Sequence, residues 1–128
     1  MPLRRKMKTV MIVDDSELMR NTVKGAFKVV KLPTTILEAG DGEEALEVLK
    51  NNKVDLILLD WNMPELSGID FLKQVRAMDE YKKIPVIMIT SEASKFNVVE
   101  AIKAGVSAYV TKPINNDILL EKISQFII

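Results

Sequence analysis

The regular alternation of short apolar runs with segments of helical periodicity constrains the fold most. Five runs have the length of strands, and apolar residues spaced three and four positions apart follow each of them. The runs are 9–13, 35–37, 54–59, 84–89 and 108–110. Apolar strands that alternate with helices predict a parallel sheet covered on both faces, and crossovers in such sheets are right-handed. We therefore predict one α/β domain, a doubly wound five-stranded parallel sheet with five helices.

Boundary residues mark several of the predicted helices. Apolar spacing extends the first helix from Met19 through Val30. Asp41 with Glu44 three positions later is typical of a capped helix start, and Gly105 is a fitting end for the fourth helix. Met63-Pro64 interrupts the chain before the third helix. We read residues 1–7 as a short basic amino-terminal arm and 8–128 as the domain.

The composition excludes several kinds of site. The chain has no cysteine and no histidine, which leaves carboxylates, amines and hydroxyls to carry any chemistry. Lys plus Arg and Asp plus Glu each total 18, so nothing in the net charge suggests nucleic-acid binding. No apolar run approaches the ~20 residues of a membrane span, and no secretory signal is evident. We expect a cytoplasmic protein without membrane insertion.

Polar residues follow four of the predicted strands. Asp14-Asp15 follows the first, Asp60 the third, Thr90-Ser91 the fourth and Lys112 the fifth. Carboxyl ends of parallel strands meet at one edge of the sheet, where ligands bind. Each residue also has an ordinary explanation by itself. Asp15 or Ser16 could cap the first helix and Thr90 or Ser91 the fourth, while Asp60 could begin a loop and Lys112 could be a surface charge.

Three carboxylates at one edge need a compensating cation. Two carboxylates 4 Å apart repel by ~4 kcal/mol at an effective dielectric constant near 20. Mg²⁺ suits a site that offers a few carboxylates together with water and a phosphate group. Lys112 and the Thr90 hydroxyl could stabilise charge on a transferred phosphoryl group. One carboxylate could then act as the nucleophile and form an acyl phosphate.

The motifs together resemble one protein family. They are Asp14-Asp15, Asp60 with Met63-Pro64, Thr90, Gly105, Tyr109 and Lys112-Pro113. At these spacings, from about Lys8 to Phe126, the sequence resembles the receiver domains of two-component response regulators. The run from Asp60 to Pro64 and the combination of Thr90, Glu92 and Tyr109 are most similar to the single-domain chemotaxis regulators of that family. The resemblance implies a flavodoxin-like sheet of order 2-1-3-4-5.

The resemblance also implies a role for each site residue. Asp60 would be the phosphoacceptor. Asp15, Asp60 and the backbone carbonyl of Asn62 would bind Mg²⁺ directly, or Mn²⁺ in its place, with Asp14 helping through water. Lys112, Thr90 and the backbone amide of Ser91 would contact the phosphoryl group. A cis peptide bond before Pro113 would aim Lys112 at the site.

The implied output is a change of surface. A phosphoryl group adds roughly −1.5 to −2 charges, and Thr90 would move toward it while Tyr109 rotates inward. The surface of the fourth helix, fifth strand and fifth helix would change, with Lys95, Tyr109 and Lys122 on the partner face. Solvated helix lysines are the alternative reading of Lys95 and Lys122. Asn62 and Glu92 would tune the hydrolysis rate, and Ser91 stands where most receivers have alanine.

The expected function is a signalling switch that catalyses its own Mg²⁺-dependent phosphorylation and autodephosphorylation. Without a histidine, the chain needs a separate sensor histidine kinase as phosphodonor. The sequence ends soon after the fifth helix, so we expect the output to act on a protein partner, a flagellar motor switch protein or another protein effector. We also expect a monomer. A phosphatase is a further expected partner. A single-domain phosphorelay intermediate is the alternative, because a receiver can also pass its phosphoryl group on.

Two enzyme or cofactor-binding classes fit less well. Phosphatases of the haloacid dehalogenase type also form an aspartyl phosphate, but they need a second aspartate where this chain has Asn62. Flavodoxins and nucleotide-binding domains need a loop rich in glycine and free amides after the first strand. Asp14-Asp15 would repel a bare phosphate there.

Overall fold

The computed structural model describes residues 7–28 and 33–127, in which five strands alternate with five helices. The strands are β1 Lys8–Val13, β2 Thr34–Ala39, β3 Leu56–Leu59, β4 Val86–Thr90 and β5 Ala108–Thr111. The helices are α1 Glu17–Phe27, α2 Gly42–Asn51, α3 Gly68–Ala77, α4 Lys95–Ala104 and α5 Asn116–Ile127. The predicted number and order of elements are confirmed.

All strand pairs in the sheet are parallel, and the strand order is β2-β1-β3-β4-β5. This confirms the predicted fold class and the order that the family resemblance implied. The pairing register aligns the strand ends, because Val13 lies opposite Leu59 and Leu59 lies opposite Met88. The residues that follow β1 and β3 therefore begin at neighbouring points on one edge, and β4 continues two residues beyond Met88, to Thr90, at the same edge.

Alternate strand residues supply two separate cores, one on each face of the sheet. One core joins β1, β3, β4 and β5 to α1 and α5, and includes Val10, Leu58, Ile87, Phe27 and Leu119. The other joins the strands to α2, α3 and α4, and includes Met11, Leu59, Met88, Phe71 and Ala101. Each large apolar side chain buried in this way contributes about 1.5–3 kcal/mol. Packing on both faces holds the strand ends in place.

The predicted boundary residues have the expected local geometry where the structure describes them. The side chain of Asp41 accepts a hydrogen bond of 2.8 Å from the amide of Glu44 at the start of α2. Gly105 ends α4 with a left-handed φ of 100°. The predicted continuation of the first helix to Val30 lies outside the described residues, as do residues 1–6 of the predicted arm. No helix in the described ranges has the length and apolar character of a membrane span.

Candidate functional site

Three carboxylates meet at the carboxyl-terminal edge of the sheet. One oxygen each from Asp14, Asp15 and Asp60 lies within 4.8 Å of the other two. Asp14 and Asp60 are buried, with 6% and 7% of their surface exposed, whereas Asp15 is exposed. The backbone extends the sheet ladder through both buried residues, since the amide of Asp14 donates to Ala39 and that of Asp60 to Val13. The sheet itself therefore fixes two of the three acids.

Lys112 reaches the same cluster from the end of β5. Its Nζ lies 3.2 Å from an oxygen of Asp14 and 3.5 Å from an oxygen of Asp60. The Lys112 side chain is only 19% exposed, and its backbone amide donates to the carbonyl of Thr90. The peptide bond to Pro113 is cis, as the family resemblance implied. The alternative of a simple surface charge at Lys112 is therefore wrong.

The electrostatics of the cluster leave an excess of negative charge. Burial and, secondarily, the charge of Asp14 raise the pKa of Asp60, while Lys112 acts in the opposite direction. Three carboxylates with one ammonium make a net charge of about −2 when all are ionised. Oxygen ligands with this charge suit a hard divalent cation such as Mg²⁺ or Mn²⁺. The residues present therefore fit the metal that the family implies.

The loop after β3 packs tightly against the acceptor position. A Cβ added to Gly68 would lie 2.0 Å from the carbonyl oxygen of Asp60, a distance that no side chain could occupy. The amide of Gly68 also donates to the carbonyl of Trp61 at 2.7 Å. Leu66 fills the space beside Gly42, where an added Cβ would lie 2.6 Å away. These contacts determine the path of the backbone from Asp60 through Asn62 to α3.

Thr90 and Tyr109 meet at the backbone of Glu92. Thr90 is fully buried, and its hydroxyl accepts a hydrogen bond of 3.2 Å from the amide of Glu92. The hydroxyl of Tyr109 donates to the carbonyl of Glu92, and burial together with the charge of Glu92 raises the pKa of Tyr109. The two residues predicted to form the switch are therefore linked through one residue.

The alternatives that assigned helix caps to the site residues have mixed outcomes. Ser16 caps α1, with its hydroxyl accepting from the amide of Met19 at 3.2 Å. For α4 the predicted cap at Thr90 or Ser91 is wrong, because Ser94 is the cap. Thr90 is still part of β4, and the helix begins only at Lys95. Thr90 and Ser91 therefore lie in the strand and in the loop above the site.

Two polar residues that contact the site were not predicted from the sequence. The amide group of Asn97, in the first turn of α4, donates to Glu92 at 3.1 Å. Arg20 on α1 donates to the carbonyl of Asp14 at 2.6 Å and to the carboxylate of Glu38 at 3.0 Å. A sequence signal for Asn97 was available, because Ser94 is a suitable cap and Asn97 lies three residues after it, in the first turn of the helix. Arg20 lies one helical turn after the cap Ser16, on the side of the helix that faces β2.

Three predicted residues form no hydrogen bond or ion pair with the acid cluster in the part of the chain that the structure describes. Ser91 is exposed in the loop after β4. Lys95 is exposed at the first position of α4, and Lys122 lies half-buried on α5. Neither lysine forms an ion pair with any part of the chain that the structure describes. Of the three lysines, only Lys112 pairs with the acid cluster within the described ranges.

Comparison with known proteins identifies the family of the chain. Residues 10–124 match the response regulator receiver domain family. The chain is 43% identical to chemotaxis protein CheY-3 of Vibrio cholerae, over 96% of this chain and 93% of that protein. It is 41% identical to chemotaxis protein CheY of Pseudomonas aeruginosa, over 91% and 93%. The solved structure of Vibrio cholerae CheY4 superposes with a TM-score of 0.86 at 32% identity, covering 94% of this chain and 99% of that one.

The chain belongs to the response regulator receiver domain family. Within that family it is similar to the two CheY proteins named above, and the similarity covers 93% of each of them. The family resemblance drawn from the motifs is therefore confirmed.

Proposed function

We propose that the chain is a phosphorylation-dependent switch that receives a phosphoryl group on Asp60. The convergence of Asp60 with Asp14, Asp15 and Lys112 at one edge of the sheet carries the proposal. Asp60 is buried beside a second carboxylate, and its raised pKa reflects an ionised form that lacks full compensation. A divalent metal ion fits this imbalance, because its positive charge would compensate the carboxylates and would also offset the negative charge of a phosphoryl group.

The proposed transfer begins when an oxygen of Asp60 attacks the phosphorus of a phosphohistidine on a sensor kinase. The bond from phosphorus to the imidazole nitrogen breaks, and an acyl phosphate forms on Asp60. Asp14, Asp15, Asp60 and the backbone carbonyl of Asn62 would hold Mg²⁺, with Asp14 acting through water. When bound, Mg²⁺ neutralises charge on the phosphoryl oxygens. Lys112 pairs with the same oxygens from the other side.

Thr90 and Tyr109 would relay the modification to the surface. In this proposal the hydroxyl of Thr90 and the backbone amide of Ser91 bind the phosphoryl oxygens. Because the hydroxyl of Thr90 and that of Tyr109 both contact the backbone of Glu92, a movement of Thr90 would shift the preferred position of Tyr109. The partner face of α4, β5 and α5, including Lys95 and Lys122, would then change its affinity for an effector.

A role in chemotaxis is the proposed biological setting. The relatives reported above, 43% and 41% identical, are named chemotaxis proteins, which favours a flagellar motor switch protein as effector and a cytoplasmic location. In this setting residues 8–128 form the receiver domain and 1–7 a basic arm. A phosphatase would be a second partner, and the chain would act as a monomer. A phosphorelay intermediate is the alternative output for the same site.

The first test is covalent labelling with a small phosphodonor. Incubation with acetyl phosphate and Mg²⁺ should add one phosphoryl group, detected by mass spectrometry and mapped to Asp60. Asp60→Asn should take up none, whereas the exposed Asp79→Asn should match the native protein. Labelling of Asp60→Asn at the native rate would overturn the assignment of the acceptor.

The second test addresses the output. Trp61 is the only tryptophan and adjoins Asp60, so its fluorescence should report loading with Mg²⁺ and beryllofluoride. The loaded protein is then titrated with the amino-terminal segment of a flagellar motor switch protein. Tighter binding by the loaded native protein alone would support chemotaxis. Normal loading without such binding would favour the phosphorelay alternative or signalling to another protein partner.

A further inference from the structure

Glu92 is hydrogen-bonded through every polar group that it has. Its amide donates to Thr90 and its carbonyl accepts from Tyr109. One carboxylate oxygen accepts from the side-chain amide of Asn62 at 3.1 Å, and the other accepts from that of Asn97 at 3.1 Å. A side chain held at both oxygens has few other rotamers open to it.

The two asparagines that hold Glu92 belong to different elements. Asn62 lies in the loop after β3, two residues beyond Asp60, and Asn97 lies in the first turn of α4. The amide of Asn97 donates to the hydroxyl of the cap Ser94, which fixes the backbone position of Asn97. Because β3 and β4 are neighbours, the Asn62–Glu92–Asn97 chain of hydrogen bonds spans the gap between the two loops beside Asp60. We call this chain the amide clasp.

We propose that Asn97 is a positioning residue that slows hydrolysis of the phosphoryl group on Asp60 by holding Glu92 in the amide clasp. This inference rests on the proposed function of Asp60. In the hydrolysis a water oxygen attacks phosphorus, the bond from phosphorus to the Asp60 oxygen breaks, and the carboxylate is regenerated. Inorganic phosphate leaves and takes up the oxygen of the water, whose surplus proton passes to solvent.

The geometry explains why the clasp would slow this reaction. The attacking water must approach phosphorus opposite the Asp60 oxygen, from the space between the loops after β3 and β4. The clasp spans that gap with a carboxylate, and it occupies the Asn62 amide that could otherwise bind the water. If Glu92 were released from the amide clasp, the attacking water could approach phosphorus more easily. The effect would arise at α4, the helix that carries part of the partner face.

The main test measures the loss of phosphoryl group from labelled protein after the donor is removed. Asn97→Ala should hydrolyse about threefold faster than the native protein, a change well within the reach of one hydrogen bond. Asn97→Asp should be faster still, because a second carboxylate repels Glu92. Asn51→Ala should leave the rate unchanged, since Asn51 bonds a glutamate of its own helix at the end of α2.

A double-mutant comparison separates positioning from a general effect on the helix. In a Glu92→Ala background the clasp is already absent, so Asn97→Ala should change the rate no further. The pair Glu92→Gln with Asn97→Asp reverses the polarity of the Asn97 hydrogen bond and should return the rate toward the native value. A second readout needs neither metal nor phosphate. In the ¹⁵N-labelled free protein, Asn97→Ala should shift the side-chain amide resonance of Asn62, and Asn51→Ala should not.

The outcomes distinguish this inference from the proposed function. If the native protein takes up no phosphoryl group at Asp60, both are overturned. If Asp60 is labelled but Asn97→Ala hydrolyses at the native rate, only the inference is overturned. An equal effect of Asn97→Ala with and without Glu92 would overturn it as well, because Asn97 would then act by another route.

Discussion

Two partly buried cations lie at opposite ends of the sheet and have different kinds of partner. Lys112, at the carboxyl-terminal edge, contacts the carboxylates of Asp14 and Asp60. Arg76, in the last turn of α3, donates to the backbone carbonyls of Lys82, Ile84 and Gly105. These carbonyls belong to the segments that lead into β4 and β5. Arg76 forms no ion pair within the described ranges.

The partners determine what each cation can do. Backbone carbonyls are neutral and permanent, so Arg76 joins α3 to the carboxyl-terminal end of α4 and to the loop before β4 at any pH. Burial lowers the pKa of Arg76, but a guanidinium stays charged in proteins. The partners of Lys112 are ionisable and can accept a metal or a phosphoryl group. The end of the sheet at Arg76 is thus stabilised by permanent partners. The end at Lys112 has partners that can bind a metal ion or a phosphoryl group instead.

The largest expected effect is on stability at the Arg76 end. Arg76→Ala would leave three carbonyls without their donor and should lower the free energy of unfolding by about 3 kcal/mol. Urea denaturation measures the change, with the exposed Lys73→Ala on the same helix as control. The folded fraction should still accept a phosphoryl group. A loss below about 0.5 kcal/mol, the range of ordinary surface substitutions, would contradict the structural role of Arg76.

The sequence predicted one end of the molecule far better than the other. Asp14, Asp60, Thr90 and Lys112 could be placed together because each follows an apolar strand, and parallel strands share an edge. Arg76 carries no such signal, because its shortest contacts are to the backbone carbonyls of Lys82, Ile84 and Gly105, and only a contact of 3.4 Å reaches a side chain, the hydroxyl of Ser107. The Asn97 contact was hidden for a related reason, since it depends on where α4 begins, and the cap at Ser94 was not foreseen.

A smaller loss is expected at Lys112. Lys112→Ala would leave Asp14 and Asp60 facing each other without an ammonium, and should cost about 2 kcal/mol in metal-free buffer. Mg²⁺ should still bind and should recover much of that loss, since the carboxylates remain. Thermal unfolding with and without Mg²⁺ measures both changes, with the exposed Lys103→Ala as control. If Lys112→Ala lost Mg²⁺ binding, Lys112 would be needed to form the metal site, and its proposed role as a contact of the phosphoryl group alone would be wrong.

Asp60→Asn should raise the free energy of unfolding, whereas Lys112→Ala should lower it. The folded protein raises the pKa of Asp60, so protonated Asp60 favours the folded state, and that stability is lost as the pH rises through the raised pKa. In metal-free buffer at neutral pH, the variant should therefore be more stable than the native protein by about 1 kcal/mol. The difference should shrink as the pH falls below the pKa of Asp60.

Denaturation across a pH series measures this difference, with the exposed Asp79→Asn as control. Mg²⁺ should reverse the order by stabilising the native protein more than Asp60→Asn. A variant that is less stable than the native protein at neutral pH would mean that Lys112 already compensates both buried carboxylates. The carboxyl-terminal edge would then be as fully paired as the Arg76 end, and the contrast between the two ends would fail.

The smallest effect is expected for a cation whose carboxylate partner is near the surface. Lys24 on α1 lies 3.0 Å from Glu38, and both side chains are 35% exposed. The hydrogen bond from Lys24 is the main cause that lowers the pKa of Glu38, and Arg20 adds to it. A lowered pKa gives stability that is present above the unfolded value and is lost as the pH falls through the folded one. Lys24→Ala should thus cost only about 0.3 kcal/mol at neutral pH.

The stability effects of Lys24→Ala and Lys112→Ala can be compared by measuring both at low and at high salt concentration. The Lys24 effect should disappear in about 1 M salt, because exposed charges are screened over a few ångströms there. The Lys112 effect should persist, since its partners Asp14 and Asp60 are buried. The exposed Lys50→Ala on α2 serves as control for changes in net charge. Lys24→Ala could instead lower the free energy of unfolding as much as Lys112→Ala does. Pairing with a carboxylate would then explain the stabilisation by both lysines, and the burial of the Lys112 partners would add nothing to it.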